Sequence, residues 1–370
     1  MADVRSAPTP HNVRVRVLVT SDHWGELSAS EATTAIVVGW QERAPFVDID
    51  ALPFSAGGRG FVAALDDAIG GSRVAVAASS ATWADVLVSN GCTYVEAAQV
   101  CPGGDSTGLG TVIDNVLHRG ARRIVVGVGD IDGVDGGRGL IEAIGRSADL
   151  ATALAAARER LSDVELTVAY DNERTLLGLQ GACAAAVESL GWDPRVAQEA
   201  EAAMGRYADH VRRLLPVRRD LISGKEHRLD REPGAGAGGG IAFGLAALGG
   251  RLLAGASCVA DVVGLRHRVG AADLVVVGTQ TFDWRCLGEH PVSTVVRAAA
   301  AEARPTVVLA EHVEVGRRET MSLGASAAYS VIDPMSRRQP PAPSELRGSL
   351  QALARRVAGT WTPRPHGDVG

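Results

Sequence analysis

Five glycines crowd into the seven residues Gly234–Gly240, inside the stretch PGAGAGGGIAFG at Pro233–Gly244, and the chain then turns apolar through Leu248. An ordinary helix interior excludes such a run, because each glycine costs roughly 1 kcal/mol against alanine there. Two uses are open. Without side chains, the backbone N–H groups can approach an anion at a helix N-terminus. Equally, small residues let neighbouring segments pack closely. Gly234, Gly236 and Gly239 match G-x-G-x-x-G, but the preceding GKEHRLDREP is no strand, so the dinucleotide fingerprint lacks its context.

Elsewhere the chain alternates short apolar runs with helical segments. Strands are expected at 13–20, 46–54, 73–78, 123–128, 166–170, 272–278 and 305–310, with a last short one within 325–332. Helices are expected at 28–40, 61–69, 111–118, 140–144, 149–161, 193–222, 258–268, 291–303 and 345–357. Ser28 followed by Glu31 forms a capping box at the first helix. Strands separated by helices predict parallel α/β sheets. Ligands of such sheets sit beyond the carboxyl ends of the strands. That rule selects the loops Ser21–Glu26, Gly129–Gly139, Asp171–Gly181 and Gly278–Asp283, each with at least one carboxylate.

The length of 370 residues implies two domains. A net charge of −6, with no basic block, argues against nucleic acid as the main partner. The most apolar long stretch, Gly238–Leu265, is cut by Arg251 and Asp261 and reads as buried helix and loop, with no membrane span expected. Cys92, Cys101, Cys183, Cys258 and Cys286 include no C-x-x-C pair, and the first residues, MADVRSAPTPHN, hold no apolar signal core. A reducing cytoplasm is the expected location. Residues 1–12 and the last few read as frayed tails.

No Walker-type P-loop, H-E-x-x-H or G-x-S-x-G occurs. What stands out is three glycine-rich turns, around Gly108, Gly136 and Gly236, together with Asp135, Asp171 and Asp283 near strand ends. Such turns present N–H groups to phosphates. Such acids hold Mg²⁺ or accept a hydroxyl proton. The combination suits phosphoryl transfer, where a protein mainly positions groups and neutralises charge. The same aspartates also suit turn formation and helix capping.

Four separated segments, in order, resemble the bacterial glycerate kinase family of two-domain α/β type: LSASEA (Leu27–Ala32), DGGRG (Asp135–Gly139), PGAGAGGG (Pro233–Gly240) and ADLVVVG…FDW…L (Ala272–Leu287). The likeness runs from about Val13 to about Ile332. It implies a Rossmann-like parallel-sheet domain from 13–70 plus 262–335, with a second α/β domain, 71–261, inserted. A proline-rich linker, terminal helix and tail would fill 336–370. It further implies a cleft between the domains, ATP and Mg²⁺ as cofactors, and a glycerate-like small molecule as substrate. Carried over position by position, Asp171 and Asp283 become the catalytic and metal-binding candidates. Gly108, Gly110, Asp135, Gly136, Gly137, Gly234, Gly236, Gly238 and Gly239 become the cofactor-binding candidates. A homodimer is left open.

Where family members read P-D-S-F-K-G-S-L-S-A, this chain reads TSDHWGELSA (Thr20–Ala29), so Trp24 stands at the lysine position and Ser21 at that of the aspartate. His290 stands at the position of a second lysine and Thr279 at that of a glutamate. A-D-G-G-E-G-T becomes SAGGRGF, Ser55–Phe61. A mobile cation is not replaced conservatively by tryptophan. Arg59, Arg138 and Arg285 are the substitutes available. Two readings follow: a glycerate kinase-like phosphotransferase, or a catalytically inactive member of the fold that binds a ligand or protein partner.

Overall fold

The computed structural model describes residues 15–217, 219, 224, 226–332 and 342–362. The expected tails, the first two residues of the first strand, residues 218 and 220–222 of the expected 193–222 helix and linker residues 337–341 lie outside the described residues; that helix itself ends at Leu214, with Leu215 extended ahead of Pro216.

The strands are β1 (Arg16–Ser21), β2 (Asp48–Pro53), β3 (Ser72–Ala77), β4 (Trp83–Ser89), β5 (Cys92–Glu96), β6 (Arg123–Gly127), β7 (Glu165–Tyr170), β8 (Arg251–Ala254), β9 (Leu274–Phe282), β10 (Thr306–Val313) and β11 (Ala327–Ser330). They form two sheets. One is parallel throughout, in the order β11-β10-β9-β1-β2. The other runs β3-β4-β5-β6-β7-β8 and is parallel from β5 onward. The architecture is the α/β class the sequence predicts. The middle of the chain builds the second sheet, and both flanks build the first.

Burial on both faces accounts for the unbroken apolar runs. Val17, Leu18, Val19, Val275, Val276, Val277, Val307, Val308 and Leu309 are all nearly sealed from solvent. In the first sheet the strand order reverses at β1, which lies between β2 and β9. A ligand crevice forms at such a reversal, outside the carboxyl ends of the two strands.

Ser28 does cap the helix Ala29–Arg43, with its box closed by Glu31. The terminal helix Leu346–Trp361 packs on that helix. The approach needs a small residue: a Cβ on Gly39 would lie 2.1 Å from the carbonyl oxygen of Gln351. Leu346, Leu350, Leu353 and Val357 therefore share one core with Val17, Val19, Ile36 and Trp40.

The lobes are joined by the turn SAGGRG. A Cβ on Gly57, whose φ is +100°, would meet the carbonyl oxygen of Ala169 on β7 at 2.5 Å. Gly129 N–H donates to the Gly57 carbonyl, and Arg59 N–H donates to Asp130 Oδ2 at 2.8 Å. One apolar core runs across this joint, from Leu18, Leu52 and Phe61 to Tyr94, Val125 and Ala169.

Three strands depart from expectation. β4 and β5 form a hairpin on Asn90–Gly91, with φ of +50° and +72°. Asn-Gly is the residue pair that favours such a turn, and the sequence reading passed over it. β8 has only four residues, too short for an alternation to show. The 258–268 helix is two helices, Gly255–Val262 and Leu265–Ala271, divided at Gly264 in a left-handed conformation. Nor do Gly108 and Gly110 form a turn. Both lie inside the helix Thr107–His118, where hypothetical Cβ atoms would stand 2.5 Å and 2.7 Å from the carbonyl oxygens of Val100 and Leu140.

Candidate functional site

A cleft of about 900 Å³ opens between the carboxyl ends of the two sheets. From the first lobe it takes Asp22 and His23, just after β1, and Thr279–Thr281 and Asp283, at the end of β9. From the second it takes Asp171–Thr175, just after β7, and Glu188 of the helix Ala182–Ser189. A smaller hollow of about 210 Å³ shares Asp171, Asn172 and Arg174 with it, and reaches Asp130, Asp132 and the backbone of Gly236, Gly238 and Gly239. Parts of all four strand-end loops selected from the sequence thus border one or the other of these two neighbouring hollows.

Asp171 and Asp283 face that space from opposite lobes. The Asp171 carboxylate accepts from the Asn172 amide at 2.7 Å. Burial, reinforced by the nearby Asp130 charge, pushes its pKa up to about 6, while Arg174 pulls the other way. Asp283 caps the short turn Trp284–Leu287 by accepting from Arg285 N–H at 2.9 Å. Its neighbour Arg285 lies over the Trp284 ring at 5.5 Å and reaches across the cleft to Glu188 at 3.2 Å. Of the three arginines proposed as substitute cations, Arg285 borders the cleft. Arg138 pairs with Glu142 on its own helix.

His290 also lines the cleft. Burial holds its pKa down at about 4, so the imidazole is neutral near pH 7. Its Nδ1 accepts from Val292 N–H at 3.2 Å, which leaves the proton on Nε2, 3.8 Å from Cys286 Sγ.

The other candidates are placed differently. Asp135 accepts from Ser106 N–H, the Ser106 hydroxyl, Gly137 N–H and Gly139 N–H. It ties together the starts of two helices, Thr107–His118 and Arg138–Gly145. Asp135, Gly136, Gly137, Gly108 and Gly110 are not among the described residues bordering either hollow. Within the opening glycine run, Gly236 N–H donates to the Arg174 carbonyl at 2.8 Å and the Gly239 carbonyl accepts from Gly136 N–H at 3.0 Å. A Cβ on Gly236 would stand 2.1 Å from the Thr175 carbonyl oxygen. The run therefore wedges the Asp171 loop against the Gly129–Gly139 loop, which is the close-packing use left open above.

Among the residues that line the two hollows outside the sequence candidates are Asp22 and Arg174 of the cleft and Asp130 of the smaller hollow. Asp22 directly follows β1 in a loop the strand-end rule had selected. The family aspartate aligns with Ser21, and Asp22 stands one position later. Asp130 has a φ of +54°, unusual for a residue other than glycine, and shows no sequence signal beyond its loop.

Trp24 does not enter the cleft. It is fully buried against the core that includes the terminal helix, and its indole N–H donates to Ser21 Oγ at 3.0 Å. Trp24→Ala is expected to lower unfolding stability by about 3–5 kcal/mol, the usual cost of emptying a large aromatic site. Chemical denaturation checks this.

No helix among the described residues is long and apolar enough to cross a membrane. The glycerate kinase family model matches residues 17–362. An uncharacterized protein of Mycobacterium bovis, Mb2228c, is 34% identical over 341 residues, spanning 86% of this chain and 84% of its own length. The glycerate 2-kinase of Escherichia coli K12 is 26% identical, covering 86% of this chain and 91% of its own. The crystal structure of a protein assigned as glycerate kinase 2 from Salmonella typhimurium LT2 superposes with a TM-score of 0.66 at 27% identity, covering 94% of this chain and 98% of the other. A model match over nearly the whole chain, on a two-sheet scaffold shared with that structure, establishes that the protein belongs to the glycerate kinase family.

Proposed function

We propose that the protein transfers the γ-phosphate of ATP to a hydroxyl of glycerate or a closely related small hydroxy acid. The observation that carries this reading is the opposition of Asp171 and Asp283 across one cleft between the lobes. Their hard carboxylate oxygens fit Mg²⁺, which is commonly held by one or two carboxylates with phosphate and water completing its shell. When bound, Mg²⁺ would neutralise charge on the phosphoryl group being transferred. Where Asp283 alone holds the metal, Asp171, with its raised pKa, is suited instead to take the proton from the attacking hydroxyl. The neutral His290 offers a hydrogen bond without adding charge. The scattered, unpaired cysteines support a cytoplasmic setting.

The test is ADP release by purified protein with ATP, Mg²⁺ and D-glycerate. Release should depend on glycerate. ATP turnover of the same rate without glycerate would contradict the reading.

A second reading has one observation in its favour. The position of the lysine in the family motif holds the buried Trp24, so no lysine enters the cleft from that turn. A non-catalytic member would bind ligand in the same cleft without releasing ADP. Thermal shift with ATP then separates a non-catalytic member that still holds nucleotide from one that does not, because a ligand that binds the folded state raises Tm.

A further inference from the structure

We infer that Asp22 holds the carboxylate of the small acid in the cleft, by donating a hydrogen bond from its own carboxyl group. The inference rests on the reading that a glycerate-like acid occupies the cleft, and goes beyond it by assigning the contact.

Three features lead there. First, Asp22 sits at the reversal of strand order. Ser21 of β1 pairs with Gly278 of β9, and Asp22 N–H donates to the Gly278 carbonyl at 3.4 Å. This is the place in the sheet where ligands gather. Second, Asp22 is only 8% exposed, lines the cleft, and its Oδ1 has no hydrogen-bond partner among the described residues. A buried polar atom without a partner is costly, and its retention points to a partner that arrives from outside. The other oxygen, Oδ2, accepts from the Thr279 hydroxyl at 3.4 Å. Third, the neighbouring Trp24, at the family lysine position, is turned into the core. The turn after β1 therefore offers the substrate a carboxyl, not an ammonium.

A carboxyl can bind a carboxylate only while it carries its proton. Burial first, then the Asp130 charge from the loop after β6, raise the Asp22 pKa to about 8. Among the other groups near it, burial keeps the Cys286 thiol neutral, with its pKa pushed up to about 12, and His290 is neutral as well. His23, next in sequence, is exposed. The same cleft is bordered by Asp283 and Arg285 from the end of β9 and by Asp171 and Arg174 from the second lobe, two carboxylates against two guanidinium groups. The balance leaves Asp22 protonated near pH 7, with its free Oδ1 the atom able to donate. A neutral acid donating to a carboxylate forms a short, charge-assisted bond. Once ionised beside Asp130, the same group would repel the substrate.

The experiment is calorimetric titration of D-glycerate into the full-length protein between pH 6.5 and 9.5, for wild type, Asp22→Asn and Asp22→Ala, with circular dichroism confirming each fold. Wild-type affinity should fall about tenfold or more across that range. Asp22→Asn, which keeps a donor but cannot ionise, should bind within about threefold of wild type at pH 6.5 and show no pH trend. Asp22→Ala should bind at least about tenfold more weakly at pH 6.5. Wild-type affinity independent of pH, Asp22→Ala binding as well as wild type, or no wild-type binding at millimolar glycerate would each overturn the inference. Because binding is read directly, the two proposals can fail separately. Binding with this pH pattern but no ADP release defeats phosphoryl transfer alone. Turnover with pH-independent binding defeats the Asp22 assignment alone.

Discussion

Replacing Asp171 with asparagine is expected to lower glycerate-dependent ADP release by about 10²–10⁴-fold, the range lost with a positioned acid–base group. The side chain keeps its shape, and the contact with Asn172 can re-form through the amide. What disappears is the negative charge and the ability to take a proton. Folding should not suffer. The ionised form is already penalised by burial and by Asp130, so removing it relieves a cost. The sign follows from linkage. A carboxyl whose folded-state pKa is raised contributes stability that is complete below its unfolded pKa near 4 and is lost as pH rises toward about 6. At pH 7 the variant should therefore melt at the wild-type temperature or above it. A loss of turnover with a raised or unchanged Tm separates chemistry from misfolding. Retention of more than about a tenth of wild-type turnover would remove Asp171 from the mechanism.

Gly239→Ala carries the largest expected effect on stability. Gly239 has a φ of +63°, and a Cβ there would lie 1.8 Å from the carbonyl oxygen of Gly133, far inside contact distance. The clash is with backbone, so no rotamer change relieves it. The 133–134 segment would have to move, and with it the loop that carries Asp130 and Asp132. Left-handed strain adds to this overlap. Together they place the loss in unfolding free energy at about 4 kcal/mol or more, in the exceptional range for one substitution. Gly205→Ala is the matched control. Gly205 lies inside the helix Pro194–Leu214 with nothing within 4 Å of the added methyl, so that change should stabilise by a few tenths of a kcal/mol up to about 1 kcal/mol. Urea denaturation of both variants reads the contrast. A loss below about 1 kcal/mol for Gly239→Ala would mean that the glycine run is not packed as described.

These two residues show what could be read from the chain and what could not. The strands that matter most, β1, β7, β9 and β10, announce themselves as apolar runs ended by polar loops, because both faces of a parallel strand are buried. The rule that ligands gather at carboxyl ends then selects, from the sequence alone, the loops that border the cleft and the smaller hollow. The glycines were harder. A backbone that must approach an anion and a backbone that must approach another backbone both need a missing side chain. The sequence therefore left Gly234–Gly240 open between the two uses. The contacts of Gly236 and Gly239 with Thr175 and Gly133 reveal packing that no local pattern encodes. Asp135 is similar: its value lies in four N–H and O–H donors supplied by two helices, which only the fold assembles. Asp22 differs again: the family aspartate's position holds Ser21 and an acid stands one position later, but that this places it at the strand-order reversal follows only from the order of the strands. The direction in which Trp24 turns, into the core, depends on the terminal helix more than 300 positions away, and lay beyond any local reading.

The central claim is that two lobes hold a small hydroxy acid and a phosphate donor against each other in one cleft. ³¹P nuclear magnetic resonance of purified protein incubated with ATP, Mg²⁺ and D-glycerate tests it most directly. The account predicts a growing phosphomonoester signal in step with ADP, absent when glycerate is left out and strongly diminished with Asp171→Asn. ATP that stays intact, or that yields only inorganic phosphate, would contradict it.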